Sequence, residues 1–295
     1  RSRGLGDVYK RQVYKDMKAR TNGEIYIGVV GPVRTGKSTF IKRFMNLMVL
    51  PNIEDENDRN RANDELPQSS SGKTIMTTEP KFVPNEAVSI KTEEGIELNV
   101  RLIDCVGYMV EGATGHMEGE EERLVKTPWF DYEIPFTKAA AIGTKKVITE
   151  HSTIGVVVTC DGSFGEIAAK QYEPAEEETI KQLKALKKPF VVLLNTIHPY
   201  SESTKQLAAE KEEKYQTKVL PMNLEQMKKE DIYEIIKSVL MEFPISSIGF
   251  YVPRWTEMLK KDHPLKMELL QMARDVITEK TTMRDIYEEQ EKEYE

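Results

Sequence analysis

The chain has 295 residues, 31% of them charged, a formal net charge of −7 and two cysteines, Cys105 and Cys160. No apolar run approaches the ~18 residues of a membrane span, and no apolar stretch of a signal peptide is visible near the N-terminus. Two cysteines are too few for a disulfide framework and fit a reducing cytoplasm, and the negative charge argues against nucleic acid as the main partner.

Residues 1–12, RSRGLGDVYKRQ, are basic and glycine-containing with no apolar period, and are read as a cloning or sequence-assembly scar. Glu24–Val30 (EIYIGVV) is apolar, rich in β-branched residues and ended by glycine, the pattern of a buried strand. Residues 38–49 have helical spacing and stop at Pro51. Residues 52–68 are polar and aperiodic and are expected to form a mobile loop. Residues 87–91 and 96–104 flank Glu94-Gly95 and predict an antiparallel hairpin. From 107 to 152 no strand is evident; a helix is expected near 138–149, and Trp129, Phe130 and Tyr132 form an aromatic cluster that either packs this insert onto the core or offers a contact surface.

Ile154–Cys160 and Phe190–Asn195 read as buried strands and 218–222 as a short one, with helices at 174–187, 203–215 and 231–242. This alternation predicts an α/β fold with a mostly parallel sheet covered on both faces. After Phe243-Pro244 the texture changes: 245–252 has strand character and 256–295 is almost all helical in pattern. A domain boundary is placed there, giving 13–243 as the first domain and 244–295 as the start of a second, α+β domain.

The segment Gly31-Pro32-Val33-Arg34-Thr35-Gly36-Lys37-Ser38 matches G-x-x-x-x-G-K-[ST] and lies between a predicted strand and a predicted helix, as that motif demands. Glycines let such a loop fold tightly so that its N–H groups converge on a phosphate, and the positive end of the following helix faces the same anion. Lys37 would neutralise the β- and γ-oxygens and the Ser38 hydroxyl would ligate Mg²⁺. Residues Gly31 to Ser38, with Thr39, are therefore the expected nucleotide-binding segment.

The strand LNVRLID ends in Asp104, followed by Cys105-Val106-Gly107. This reads as an acidic strand end fused to a D-x-x-G turn. Asp104 would hold Mg²⁺, and the Gly107 N–H would bind the γ-phosphate. Phosphate-loop switches also need a threonine on Mg²⁺ and the γ-phosphate. Thr77 and Thr78 lie in the right interval, with Thr74 as a competitor.

That order of parts is the plan of small GTPases, which read guanine through Asn-Lys-x-Asp. Here the matching strand ends in Asn195-Thr196-Ile197-His198, so the guanine-selecting carboxylate is missing and ATP, or poor selectivity, becomes plausible. Asn195 either contacts nucleotide or merely ends its strand. The glutamine that orients water in Ras-like enzymes is replaced by Tyr108. Arg34, inside the loop, either places charge near the phosphates or faces solvent. His116 and His151 lack partner spacing for a metal, and Cys105 is read as a packing residue.

The stretches GEIYIGVVGPVRTGKSTFIKRFMNLMVLPNI, SGKTIMTTEPKFVPNEAV and LIDCVGYMVEGATGHMEGEEERLVKTPWFDYEIPF closely resemble the stage IV sporulation protein A family, from about residue 13 to the end. The resemblance implies a P-loop NTPase of the translation-factor-related, GTPase-like class that uses ATP with Mg²⁺. It implies Lys37 as the Walker A lysine, Asp104 as the Walker B aspartate, and Thr77 and Thr78 in hydrolysis. It further implies ATP-driven self-assembly into the basement layer of the spore coat, on the forespore surface in the mother-cell cytoplasm. The implied partners are copies of itself, a small amphipathic membrane-anchoring peptide and other coat morphogenetic proteins. Family chains continue through a middle and a C-terminal domain, of which only the beginning of the middle one is expected here. Three readings are ranked in order: an assembly ATPase, a regulatory GTPase switch, and a nucleotide-binding scaffold without turnover.

Overall fold

The computed structural model describes residues 24–67, 79–91, 97–118, 121–165, 167–245 and 248–285. They divide into two compact units between Val239 and Leu240.

The first unit is built on a six-stranded sheet. Its strands are β1 (Glu24–Val30), β2 (Lys81–Lys91), β3 (Glu97–Asp104), β8 (Ile154–Cys160), β9 (Phe190–Asn195) and β10 (Val219–Met222), in the spatial order β10-β9-β8-β1-β3-β2. All neighbours run parallel except β2 and β3, the expected antiparallel pair. Every residue of β8 and β9 is buried, which is why both read as unbroken apolar runs rather than alternating ones.

Both faces of the sheet are covered. On one, Val30, Ile103, Val157, Val192 and Leu194 pack with Val147 and Ile148, with Ile180 and Leu183 of α4 (Ala169–Ala185), and with Ala208 and Tyr215 of α5 (Glu202–Tyr215). The alternate residues Ile27, Val29, Leu102, Val156, Val158 and Leu193 are as deeply buried on the opposite face. There α1 (Lys37–Phe44) lies against β1 and β3 and presents Lys37, Phe40, Ile41 and Phe44 inward at helical spacing. The helix continues as a wider π turn over Met45–Val49, so the expected 38–49 helix is present with a change of winding. A further helix is α6 (Lys229–Met241).

Several expectations need correction. Within 52–68, Glu56–Asp64 is a helix, α2, not a loop; its start is fixed by the Asp55 side chain, which accepts the Asp58 N–H at 3.0 Å. Among its described residues the 107–152 insert contains four short strands: β4 (Met117–Glu118) pairs with β5 (Glu121–Glu122), and β6 (Leu124–Thr127) with β7 (Phe130–Pro135). These lead into α3 (Phe136–Lys146), and the Lys146 ammonium lies over the Trp129 ring at 5.8 Å. Helix α4 starts five residues before Pro174, which sits inside it.

In the second unit the strand expected at 245–252 is absent among the described residues; a single bridge, Pro244 with Thr282, stands in its place. The side chains of Phe250, Tyr251 and Val252 are exposed, so this stretch lacks the packed face that would hold a strand. Among the described residues, the expected helical stretch 256–295 contains helix α7 (Pro264–Glu279), which begins with proline at its first position and His263 as the capping residue, and residues 283–285 are helical again after a break. Among the described residues no helix is long and apolar enough to cross a membrane.

Candidate functional site

Strand β1 lies between β3 and β8, so the chain leaves it first to one side of the sheet and later returns to the other. Ligands of open α/β sheets bind beyond the carboxyl ends of the strands at such a switch point. The loop 31–36 leaves β1 there. Asp104 ends β3 in register with Val29, and Asn195 ends β9 in register with Cys160 and Met222. Residues far apart in sequence thus converge at one end of the sheet.

The loop's shape follows from its residues. Gly31 has φ +127°, and a Cβ there would stand 2.5 Å from the Val158 carbonyl oxygen. Gly36 has φ +101°, and its Cβ would meet the Asn195 amide nitrogen at 2.7 Å. Only glycine fits either position. Arg34 also adopts positive φ, 61°; it is exposed and reaches Thr114, donating to its hydroxyl at 2.9 Å and to its carbonyl at 3.3 Å. Thr35 is buried and closes the turn by donating to the Pro32 carbonyl at 3.0 Å. Pro32 and Val33 are buried beside it. Gly36 caps α1 with no side-chain partner for the first helical amides, which leaves them and the positive end of the helix directed at the loop. Ser38 and Thr39, in the first turn, are half-buried.

Lys37 is buried with its Nζ on the carbonyls of Pro32 at 2.5 Å and Gly31 at 3.4 Å. No carboxylate pairs with it among the described residues. Burial pulls its pKa down, against the pull of Cys105 and Asp104. Asp104 is the mirror case: its Oδ1 is buried without a hydrogen-bond partner, and burial raises its pKa to about 6 despite the nearby Lys37. A buried cation and a half-buried carboxylate with an orphaned Oδ1 therefore lie close together, a costly arrangement that a bound polyanion with its counter-cation would relieve. The orphaned Oδ1 is a hard oxygen of the kind Mg²⁺ takes, so Asp104 fits that metal.

The turn after Asp104 is hydrogen-bonded to the phosphate loop. Tyr108 donates its N–H to the Gly31 carbonyl at 3.3 Å and accepts the Val33 N–H at 2.9 Å. Gly107 is buried at φ +97°, so close that a Cβ would come 2.2 Å from the Gly31 oxygen and 2.6 Å from Lys37 Nζ. Its N–H does not point into free space. It donates to the Thr144 hydroxyl at 3.2 Å, so the expected phosphate donor already has a partner. Thr144 belongs to no motif, and sequence reasoning had no signal for it.

Asn195 is buried, and both ends of its amide are used. Nδ2 donates to the Thr35 carbonyl at 3.0 Å, and Oδ1 accepts the Leu224 N–H at 3.2 Å. The sequence makes Asn195 either a nucleotide contact or a plain strand end; in the structure its amide braces the phosphate loop. Thr196, buried, is held by the Met222 carbonyl and accepts the His198 N–H, whereas His198 itself is exposed. Cys105 is buried, donates to the Val29 carbonyl at 3.4 Å, and is pushed by burial to about 11, as suits a packing residue. Thr74, Thr77 and Thr78 lie outside the described residues.

The family model of stage IV sporulation protein A, ATPase domain, matches residues 8–244, and that family's middle-domain model matches 245–295. Stage IV sporulation protein A of Clostridioides difficile (strain 630) is 53% identical over 274 residues, 93% of this chain and 56% of that protein. Those of Bacillus anthracis and Bacillus subtilis (strain 168) are 49% and 48% identical over 277 residues, 94% of this chain and 56% of each protein. The chain thus spans little more than half the length of these relatives. Among solved structures, a variant of SsGBP superposes with a TM-score of 0.41 at 13% identity, over 81% of this chain and 64% of that one. The matches cover nearly the whole chain, the phosphate-loop unit included, and the chain belongs to the stage IV sporulation protein A family, carrying that family's ATPase domain.

Proposed function

We propose that this chain binds ATP with Mg²⁺ at the loop 31–38 and hydrolyses it to ADP and phosphate. The observation that carries this reading is the pair of under-partnered charges, buried Lys37 in the first turn of α1, whose start has no side-chain cap, and Asp104 at the end of β3 with its orphaned Oδ1.

In this reading the amides of the loop and of the first turn of α1 hold the β-phosphate, and Lys37 exchanges its loop carbonyls for phosphate oxygens. Asp104, Ser38 and Thr78 would hold Mg²⁺, which when bound would supply positive charge against the phosphates. Asp104 does this as the carboxylate, so it gives up any proton before the metal binds. Thr77 and Thr78 are the proposed switch residues, and Arg34 is the proposed source of further positive charge, released from Thr114. Asn195 keeps Thr35 and therefore the loop in place. The absence of a carboxylate at His198 supports adenine over guanine.

The wider role rests on the family. We assign residues 13–243 to the ATPase domain and 244–295 to the beginning of the middle domain. Turnover would drive self-assembly of a spore-coat basement layer in the mother-cell cytoplasm at the forespore surface. The partners would be further copies, a small amphipathic membrane-anchoring peptide and other coat proteins, through regions that the relatives have beyond this chain's span.

Calorimetric titration of ATP with and without Mg²⁺ tests the site. The wild type is expected to bind more tightly with Mg²⁺, and Asp104→Asn to lose that gain while keeping metal-free binding. An equal Mg²⁺ gain in both would remove Asp104 from the metal site.

A further inference from the structure

The Gly107 amide lies where the proposed function needs a donor to the terminal phosphate, yet it is already occupied. Its acceptor, the Thr144 hydroxyl, is completely buried on α3 and is itself oriented: it donates its proton to the Ala140 carbonyl at 2.8 Å, leaving its lone pairs for the Gly107 N–H at 3.2 Å. A buried N–H must always have a partner. Gly107 also borders Lys37, where an added Cβ would come 2.6 Å from Nζ, so a γ-phosphate held by that lysine would offer the amide a second acceptor besides the neutral hydroxyl.

We infer that Thr144 is the resting-state acceptor of the Gly107 amide and that the γ-phosphate displaces it, so that Thr144 sets how strongly the site prefers a triphosphate over a diphosphate. The inference rests on the triphosphate reading of the loop given above. A charged phosphate oxygen is the stronger acceptor, so the amide leaves Thr144 when a triphosphate binds. With a diphosphate there is no oxygen to take it, and the Thr144 bond persists. Thr144 is a positioning residue: it acts through Gly107 and touches no substrate. The same exchange carries the state of the nucleotide into α3, whose following turn places Val147 and Ile148 in the core beneath the sheet.

The test compares ADP with a non-hydrolysable ATP analogue, both with Mg²⁺, on wild type, Thr144→Val and Thr144→Ser. Valine keeps the shape and removes the acceptor, so nucleotide-free and ADP-bound states lose a hydrogen bond that the triphosphate state does not use. The analogue should therefore bind Thr144→Val about three- to tenfold more tightly, the worth of one such bond, with ADP affinity unchanged and Thr144→Ser restoring the wild-type ratio. An unchanged ratio, or analogue and ADP affinities moving together, would overturn the role of Thr144 while leaving the nucleotide site intact. If wild type bound neither nucleotide, the triphosphate reading would fall, and this inference with it.

Discussion

Asn195 Nδ2 donates to the Thr35 carbonyl at 3.0 Å, tying the end of β9 to the middle of the phosphate loop, while its Oδ1 holds the Leu224 N–H. Asn195→Ala would leave a buried carbonyl and a buried N–H unpaired, each costing about 1–3 kcal/mol. Urea denaturation should show that loss, and nucleotide titration should show weaker binding through a loosened loop. Unchanged stability and affinity would mean the loop holds its shape unaided.

Gly31→Ala is expected to be more damaging than its size suggests. The new methyl would stand 2.5 Å from the Val158 carbonyl oxygen at a φ of +127°. Backbone must move, and the loop with it. Nucleotide affinity should fall at least tenfold and the melting temperature should drop; retention of both would show that the loop relaxes freely.

Asp104 gives a pH signature. Its folded-state pKa of about 6 lies above the ordinary 3.8 because burial disfavours the charged form. The folded state therefore binds more protons than the unfolded between these values, so this group's contribution to stability falls as pH rises through that window. Asp104→Asn removes the penalty. In the absence of nucleotide and metal it should be more stable than wild type at pH 7.5, by about 2–3 kcal/mol from the size of the shift, with the advantage gone below about pH 4. Denaturation at the two pH values checks this; a variant less stable than wild type at pH 7.5 would show that Asp104 is held by attractions stronger than its burial.

Glu176 offers a control away from the loop. It is completely buried, accepts from Thr159 at 2.5 Å and pairs with Lys211 at 2.6 Å. Glu176→Ala would strand a largely buried ammonium and cost about 3–5 kcal/mol, yet the folded protein should bind nucleotide as wild type does. A selective loss of binding without loss of stability would link this network to the site.

The parts legible in the sequence are those where one physical demand dominates. Glu24–Val30, Ile154–Cys160 and Phe190–Asn195 are strands with the expected ends because interior parallel strands must be apolar throughout. The turns at Gly31 and Gly36 are legible because their backbone angles exclude other residues. What was missed depends on partners. Strands β4 and β5 are two residues each, too short to show a period, and depend on their pairing and on Glu122 accepting the Thr137 N–H. Helix α2 buries only Ala62, so it has no apolar stripe to read, although Asp55 announces its start. Pro174 reads as a helix start but lies within α4, where the preceding turn begins with the Ala168 N–H donating to the Gln171 side chain at 2.9 Å. At the site, Lys37 and Asp104 were named by their motifs. The bracing role of Asn195 and the hold of Thr144 on Gly107 needed the fold, because each depends on a contact between distant segments.

The most direct measurement is phosphate release from ATP and from GTP, with Mg²⁺, by this chain and by Lys37→Ala. The account predicts ATP turnover well above GTP turnover, abolished in the variant. Preference for GTP, or turnover that survives loss of the Lys37 ammonium, would contradict it.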